Sequence, residues 1–260
     1  MSWAARRQLT ILFGLLVIIG GILYWIFYPV FHVVPTCFDR KQNGTETGID
    51  CGGTCAIVCT NSVAPIAVKF SRSFAITPTV YNALAYVENP NVGEAIYSID
   101  YAFKLYDDKH SFITERDGTT YISDNGPGAI IETGIQVGNR TPAYTTFTFS
   151  TTPVFARIPD RAKSAKVLAD PGTLRDLDTR PKLDTAIHNA SGLFYLDNID
   201  VAAILYDADG NAVGVSKTFV DHLDPAGTSD IHFTWQNTFT SMPVRNEIIP
   251  SYNAFTQTFQ

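Results

Sequence analysis

Between residues 9 and 34 the chain carries no Asp, Glu, Lys or Arg, reading LTILFGLLVIIGGILYWIFYPVFHVV. A helix rises about 1.5 Å per residue, so roughly 20 such residues cross the hydrocarbon of a bilayer. The spanning part is predicted over residues 9–27. Tyr24, Trp25 and Tyr28 follow at its far end, where amphipathic rings prefer the interface, and Pro29 marks an end or a kink. A cleaved signal peptide has an apolar region of only about 7 to 15 residues and a small-residue cleavage site. This run is longer, and no A-x-A follows it. Lipidation of Cys37 fits poorly, because VPT before it is unlike a lipobox and three cysteines would be left over. Gly20 and Gly21 lack G-x-x-x-G spacing and read as lipid-facing filler. Arg6 and Arg7 stand before the run, while Arg40 and Lys41 follow it beside Asp39, a modest bias for an inside N-terminus. The expectation is an uncleaved signal-anchor in the cell membrane, single-pass, N-terminus cytoplasmic, with everything after it extracytoplasmic.

All four cysteines, Cys37, Cys51, Cys55 and Cys59, fall in one window just past the anchor. Exported proteins use such clusters as disulfide frames and cytosolic ones as zinc sites, so an extracytoplasmic window predicts cystines, with three pairings open. Zinc knuckles would also space their ligands as paired C-x₂₋₄-C. Between the cysteines stand Asp39, Asn43, Glu46 and Asp50, hard oxygen donors of the kind Ca²⁺ takes, with Gly44, Gly48, Gly52 and Gly53 for tight turns. The spacing is not that of an EF-hand. Two readings stand: a Ca²⁺ site made by those four residues, or polar groups that cap turns and face water. The pattern C-x-D-x-x-x-N-G-x-E-T-G-x-D-C-G-G-x-C resembles a short repeat of secreted and surface bacterial proteins. That resemblance implies a small disulfide-bonded module near the cell surface, Ca²⁺ being the only cofactor it suggests.

Beyond this collar the sequence answers itself. SIDYAFKLYDDKHSF from residue 98 and NIDVAAILYDADGNAV from residue 198 align at an offset of 100, as do Val87 with Ile187 and Asn89 with Asn189. Downstream the offset becomes 101, pairing Ile122 with Leu223, Ile130 with Ile231 and Pro142 with Pro243. Each copy alternates with period two. Ile99, Tyr101, Phe103 and Leu105 share one face, and Ile199, Val201, Ala203 and Leu205 share the equivalent one. Asp and Gly after each strand, DDKH and DADGN, supply hairpin turns.

Short strands without a helical period predict antiparallel sandwiches of about seven strands per copy. The fold class is therefore mainly β: an N-terminal transmembrane helix, a small Cys-rich loop module and two tandem Ig-like or fibronectin-III-like sandwiches. Boundaries are read as 1–34 for the tip and anchor, 35–60 for the collar, 61–160 and 161–250 for the sandwiches, and 251–260 for a tail expected to fray. Residues 156–183 hold mixed charge and prolines, so relative motion of the sandwiches is expected unless their interface is large and apolar.

Phe103, Leu105, Tyr106 and Asp107 spell F-x-L-Y-D; Leu205, Tyr206 and Asp207 repeat it with Ala203 in the place of Phe103. The copies thus resemble the bacterial domains named for that motif. The whole chain resembles membrane-anchored bacterial surface proteins that join such domains to a Cys-rich collar, a family with no activity to carry over.

No G-x-S-x-G, H-E-x-x-H, P-loop or G-x-G-x-x-G occurs. Asp107 and Asp207 recur at one place in both copies, which suits turn capping. Tyr106 and Tyr206 read as binding platforms, as contacts to a second sheet or as pinned hydroxyls. His32 lies at the membrane edge; His222 and His232 could approach one another beside Asp221, Asp224 and Asp230, though surface strand positions account for them. Asn43, Asn139 and Asn189 stand in N-x-[ST] sequons. A net charge of −6, with 19 basic and 25 acidic residues scattered along the chain, leaves no basic footprint for nucleic acid. The expected function is non-catalytic binding, adhesion or display at the cell surface, with the membrane and a protein or envelope polymer as partners. A structural or assembly subunit of an envelope complex is the alternative, and a wall-acting enzyme comes third.

Overall fold

Strand β3 (Glu94–Tyr106) shows how this sequence folds: every second side chain, Ile99, Tyr101, Phe103 and Leu105, is buried, while Asp100, Lys104 and Tyr106 keep contact with solvent. A pleated strand sends successive side chains to opposite faces, so this alternation commits one face to a core. The structure is a computed structural model that describes residues 3–31, 36–160, 162 and 165–257; His32 lies outside them. Its two compact units are Met1–Cys55 and Ala56–Gln260.

In the first unit, α1 spans Trp3–Phe31 and runs two residues past Pro29, longer at both ends than the predicted span. Ala5–Tyr28, 24 residues, is long and apolar enough to cross a membrane, and none of it is buried by the rest of the chain. The collar closes through Cys37–Cys55, 18 positions apart with Cα atoms 5.7 Å apart. Cys51 and Cys59 are disulfide-bonded as well, and no cysteine is free.

In the second unit, β1 (Ala67–Thr77), β2 (Val80–Asn89) and β5 (Gly126–Gln136) form one sheet in the order β1-β2-β5. It faces β4-β3-β6, where β4 is Phe112–Ile122 and β6 is Tyr144–Phe149; the two-residue β7 (Ala156–Arg157) pairs the start of β3. The second sandwich has the same arrangement. The sheet β13-β10-β8 (Thr228–Thr234, Lys182–Asn189, Val167–Ala169), with β9 (Thr173–Arg175) also on β10, faces β12-β11-β14 (Ala212–Leu223, Leu196–Tyr206, Arg245–Ser251). Every pairing is antiparallel. Both are Ig-like sandwiches of seven strands, β1–β7 and β8–β14, as the sequence predicts. Where the first has the continuous β1, the second has β8 and β9 separated by Asp170-Pro171-Gly172, since a proline cannot donate to the ladder.

The registers explain the drift in offset. Tyr106 pairs with Phe112 and Tyr206 with Ala212, each after a bulge following Leu105 or Leu205. At the other end Ile96 pairs with Ile122 across a second register shift, whereas Leu196 meets Leu223 without one.

Among the described residues three large apolar cores result, with a small fourth cluster of Ala95, Ile158 and Ala162 under Phe255. Phe103, Leu105, Ile99 and Tyr101 pack with Ile130, Phe147 and Ile122 inside the first sandwich. Leu205, Ile199, Val201 and Ala203 pack with Ile187, Phe233 and Trp235 inside the second. The third core joins the two. Leu84 and Ile131, with the partly buried Phe70, Phe74 and Tyr86, meet Ala202, Ile204, Tyr206, Val215 and Ile249. The outer face of β1-β2-β5 is thus covered by the outer face of β12-β11-β14.

Polar bonds fringe this contact: Lys217 Nζ donates to the Ile131 carbonyl at 2.8 Å, Tyr121 to Asp200 at 2.9 Å and Asn237 to the Ile76 carbonyl at 2.6 Å. Relative motion of the sandwiches is expected unless an apolar interface joins them, and the third core is such an interface. Of the tail expected to fray, residues 251–257 are tied down: Gln257 brackets the backbone of Asp197 through Oε1 and Nε2, and Phe255 packs edge-on to Tyr97, while 258–260 lie outside the described residues.

Candidate functional site

In the collar, Asp50 sits at φ 53 and its carboxylate accepts the amides of Asp39 at 3.0 Å and of Arg40 at 3.0 and 3.1 Å. Asp39 accepts from the Lys41 amide at 2.9 Å and from Asn43 Nδ2 at 2.7 Å. The Asn43 bond is the main cause holding its carboxyl below the usual range. Glu46 Oε2 accepts the Asn43 amide at 3.1 Å while the Glu46 amide donates to the Asn43 carbonyl at 3.1 Å, closing a reciprocal turn. Gly53, at φ +57, must be glycine: a Cβ there would lie 1.8 Å from the Thr45 carbonyl oxygen.

A Ca²⁺ shell takes about six to eight oxygens converging on one point. Here the carboxylates of Asp39, Glu46 and Asp50 are spent on amides of their own loop, and Asn43 Oδ1 alone is buried without a partner. Among the described residues, the one trio of candidate ligand atoms within 4.8 Å of one another is Cys37, Glu46 and Cys55. Two of those atoms are disulfide sulfurs, which offer no thiolate. These residues do not fit a common cation, and the turn-capping reading is the one their bonds follow.

The two motif turns are built alike. Asp107 Oδ1 accepts the amides of Lys109 at 3.0 Å and Ser111 at 2.8 Å; Asp207 Oδ1 accepts those of Asp209 at 3.1 Å and Asn211 at 2.8 Å. Both carboxyls are held below the ordinary range, Asp107 chiefly by Arg140 and Asp207 chiefly by the Asn211 amide. The tyrosines beside them part company. Tyr206 is buried, with its hydroxyl 2.9 Å from Glu247, which also accepts from Tyr86 at 2.8 Å. Burial is the first cause, and the Glu247 bond the second, that pushes the Tyr86 phenol up to about 12. Tyr106 stays half-exposed against Phe112.

Asn89 and Asn189 are the recurrent pair whose role the sequence left unread. Asn89 is 1% exposed and donates to the carbonyls of Glu94 and Ser123; Asn189 is 2% exposed and donates to those of Phe194, Leu223 and Asp224. Each ties the strand after it to the end of the next hairpin. Asn189 is therefore too buried to accept a glycan. The histidines do not meet one another: His222 bonds Asp197 and Asp224, His232 bonds Asp184, and His188 bonds Asp170. Of the acids named beside them, only Asp224 is a partner.

No protein-family model matches the sequence, and no curated protein does. A red sea bream transglutaminase is similar at 6% identity and TM-score 0.23, over 72% of this chain and 30% of its own. A glycosyl hydrolase family 2 member from Bacteroides cellulosilyticus is similar at 8% identity and TM-score 0.24, over 66% of this chain and 26% of its own. The chain spans less than a third of the length of either, and at such scores neither likeness bears on its activity.

Proposed function

We propose that this chain is a single-pass membrane protein whose N-terminus is cytoplasmic and whose collar and paired Ig-like sandwiches stand outside the membrane, holding a partner by contact rather than catalysis. The observation that carries the reading is Ala5–Tyr28, a 24-residue apolar helix segment none of which the protein itself buries. Exposing that much apolar surface to water is costly at about 25 cal/mol per Å², and a bilayer removes the cost. Arg6 and Arg7 ahead of the span, and disulfide-bonded cysteines after it, support the orientation. The shared registers of the two sandwiches support an internal duplication of an FxLYD-like domain.

A contact role is supported by what the recurrent polar residues do: Asp107, Asp207, Asn89 and Asn189 are consumed in holding their own backbone. The third core makes the pair a stiff spacer suited to display. C-terminal fusions in a bacterial host test the topology. Alkaline phosphatase is expected to be active and green fluorescent protein dark; bright fluorescence with an inactive phosphatase overturns the reading.

A further inference from the structure

A cleft of about 700 Å³ opens on the first sandwich where the edge strands β1 and β6 come side by side, joined by Ser71 Oγ donating to the Thr145 carbonyl at 2.7 Å. Ser73, Thr146 and the exposed Arg72 line one part of it; Tyr106, His110 and Tyr144 line the other. The His110 ring lies flat on the Tyr144 ring, with centroids 4.2 Å and planes 26° apart, and both rings are open to solvent. Arg72 makes no ion pair among the described residues, the residues lining the cleft include no acid, and Asp107, next to Tyr106 in the chain, is paired with Arg140.

The sister turn in the second sandwich shows that the aromatic wall is not required by the fold. His110 holds φ 60 where Gly210 holds φ 80, and both amides donate to the carbonyl of the preceding motif aspartate, at 3.0 and 3.1 Å. Tyr144 pairs with Tyr106 where Arg245 pairs with Tyr206. A histidine therefore occupies a left-handed position that glycine fills without strain, and strain kept against an available alternative is a mark of functional sites. The turn that carries it is braced, because Arg140 donates to the Phe112 carbonyl at 2.6 Å as well as to Asp107.

We propose that this cleft binds a saccharide chain carrying carboxylates. The His110–Tyr144 pair offers a flat apolar surface for the C–H face of a pyranose ring, Ser73 and Thr146 offer hydroxyls to its hydroxyls, and the Arg72 guanidinium pairs a carboxylate. This deepens the contact role proposed above, yet the binding assay needs no membrane topology, so the two fail separately.

The test is calorimetric titration of the full-length chain in detergent micelles with hexamers of galacturonate, mannuronate and glucuronate. At least one is expected to bind with Kd below about 1 mM, and cellohexaose about tenfold or more weaker. Tyr144→Ala and Arg72→Gln are each expected to weaken that binding about tenfold or more, with raised salt weakening it further. His110→Gly is expected to weaken binding while raising the melting temperature, a pairing that a purely structural histidine would not give. The proposal is overturned if no uronate hexamer binds, if cellohexaose or a hexaglutamate peptide binds as tightly, or if these variants melt normally and keep wild-type affinity.

Discussion

β3 and β11 hold the same place in the two sandwiches, and their outer faces have opposite fates. Both bury the same inward set, Ile99 to Leu105 in one and Ile199 to Leu205 in the other. On the outer face, Lys104 pairs with the exposed Glu115 at 3.4 Å and Asp100 accepts from Thr119, whereas their counterparts sit in or beside the third core, where Ile204 is fully buried and Ala202 and Tyr206 flank it. The difference teaches that the inner faces specify the sandwich and the outer face specifies what the sandwich touches. Aliphatic residues in place of charged ones on that face, Ile204 for Lys104 and Val215 for its partner Glu115, go with an interface in place of a solvated sheet.

The sharpest way to break the comparison is to exchange those residues. Ile204→Lys places an unpaired ammonium in the third core, and a loss of about 4 kcal/mol or more is expected in urea unfolding. The reciprocal Lys104→Ile removes only an exposed ion pair and should shift stability by about 1 kcal/mol or less. Equal and large costs for both would mean that the two outer faces are equally packed.

Where the copies agree, equal costs are expected. Asn89→Ala and Asn189→Ala each strip a buried amide that holds two or three carbonyls, and each should cost about 2–3 kcal/mol. A cost confined to one of them would end the equivalence of the two clasps.

A smaller effect distinguishes the second sandwich by pH. The imidazole of His222 is raised above its ordinary value by Asp197 first and Asp224 second. A raised folded value contributes stability that is fully present below the unfolded value of about 6.5 and is lost as pH rises through the folded one. The melting temperature is therefore expected to fall on raising pH above about 6.5, and His222→Gln should remove that part of the slope. An unchanged slope in the variant would refute the assignment.

The smallest effect belongs to the collar. Saturating Ca²⁺ or a chelator should leave the melting temperature unmoved, since a ligand that binds only the folded state must raise it. A rise with Ca²⁺ would show that the loop rearranges to free its carboxylates.

The long apolar helix, the cystine-rich collar and the sandwich class were legible because each rests on a local pattern: an uncharged run, clustered cysteines, period-two alternation. Ile99, Phe103 and Leu105 declared their face within a few residues. The third core was not legible, because Leu84 and Ile204 are apolar residues on outer faces and nothing local tells an interface from scattered surface hydrophobics. Nor was the docking of the tail, since Gln257 acts by bracketing the backbone of Asp197 across 60 positions. The aromatic cleft escaped for the same reason: Arg72, His110 and Tyr144 lie on three separate segments, and only the contrast of His110 with Gly210 marked it in the sequence. The strand count was legible too, with seven strands in each sandwich, but the break of the first strand of the second sandwich at Pro171 was not.

That the two sandwiches are one folding unit, bound through the outer face of β11, is tested most directly by differential scanning calorimetry of the full-length chain in detergent micelles. One transition is expected, with a van't Hoff enthalpy matching the calorimetric value of about 140 kcal/mol, at roughly 0.7 kcal/mol per residue over Ala56–Gln260. Two resolved transitions, each with about half that enthalpy, would contradict it.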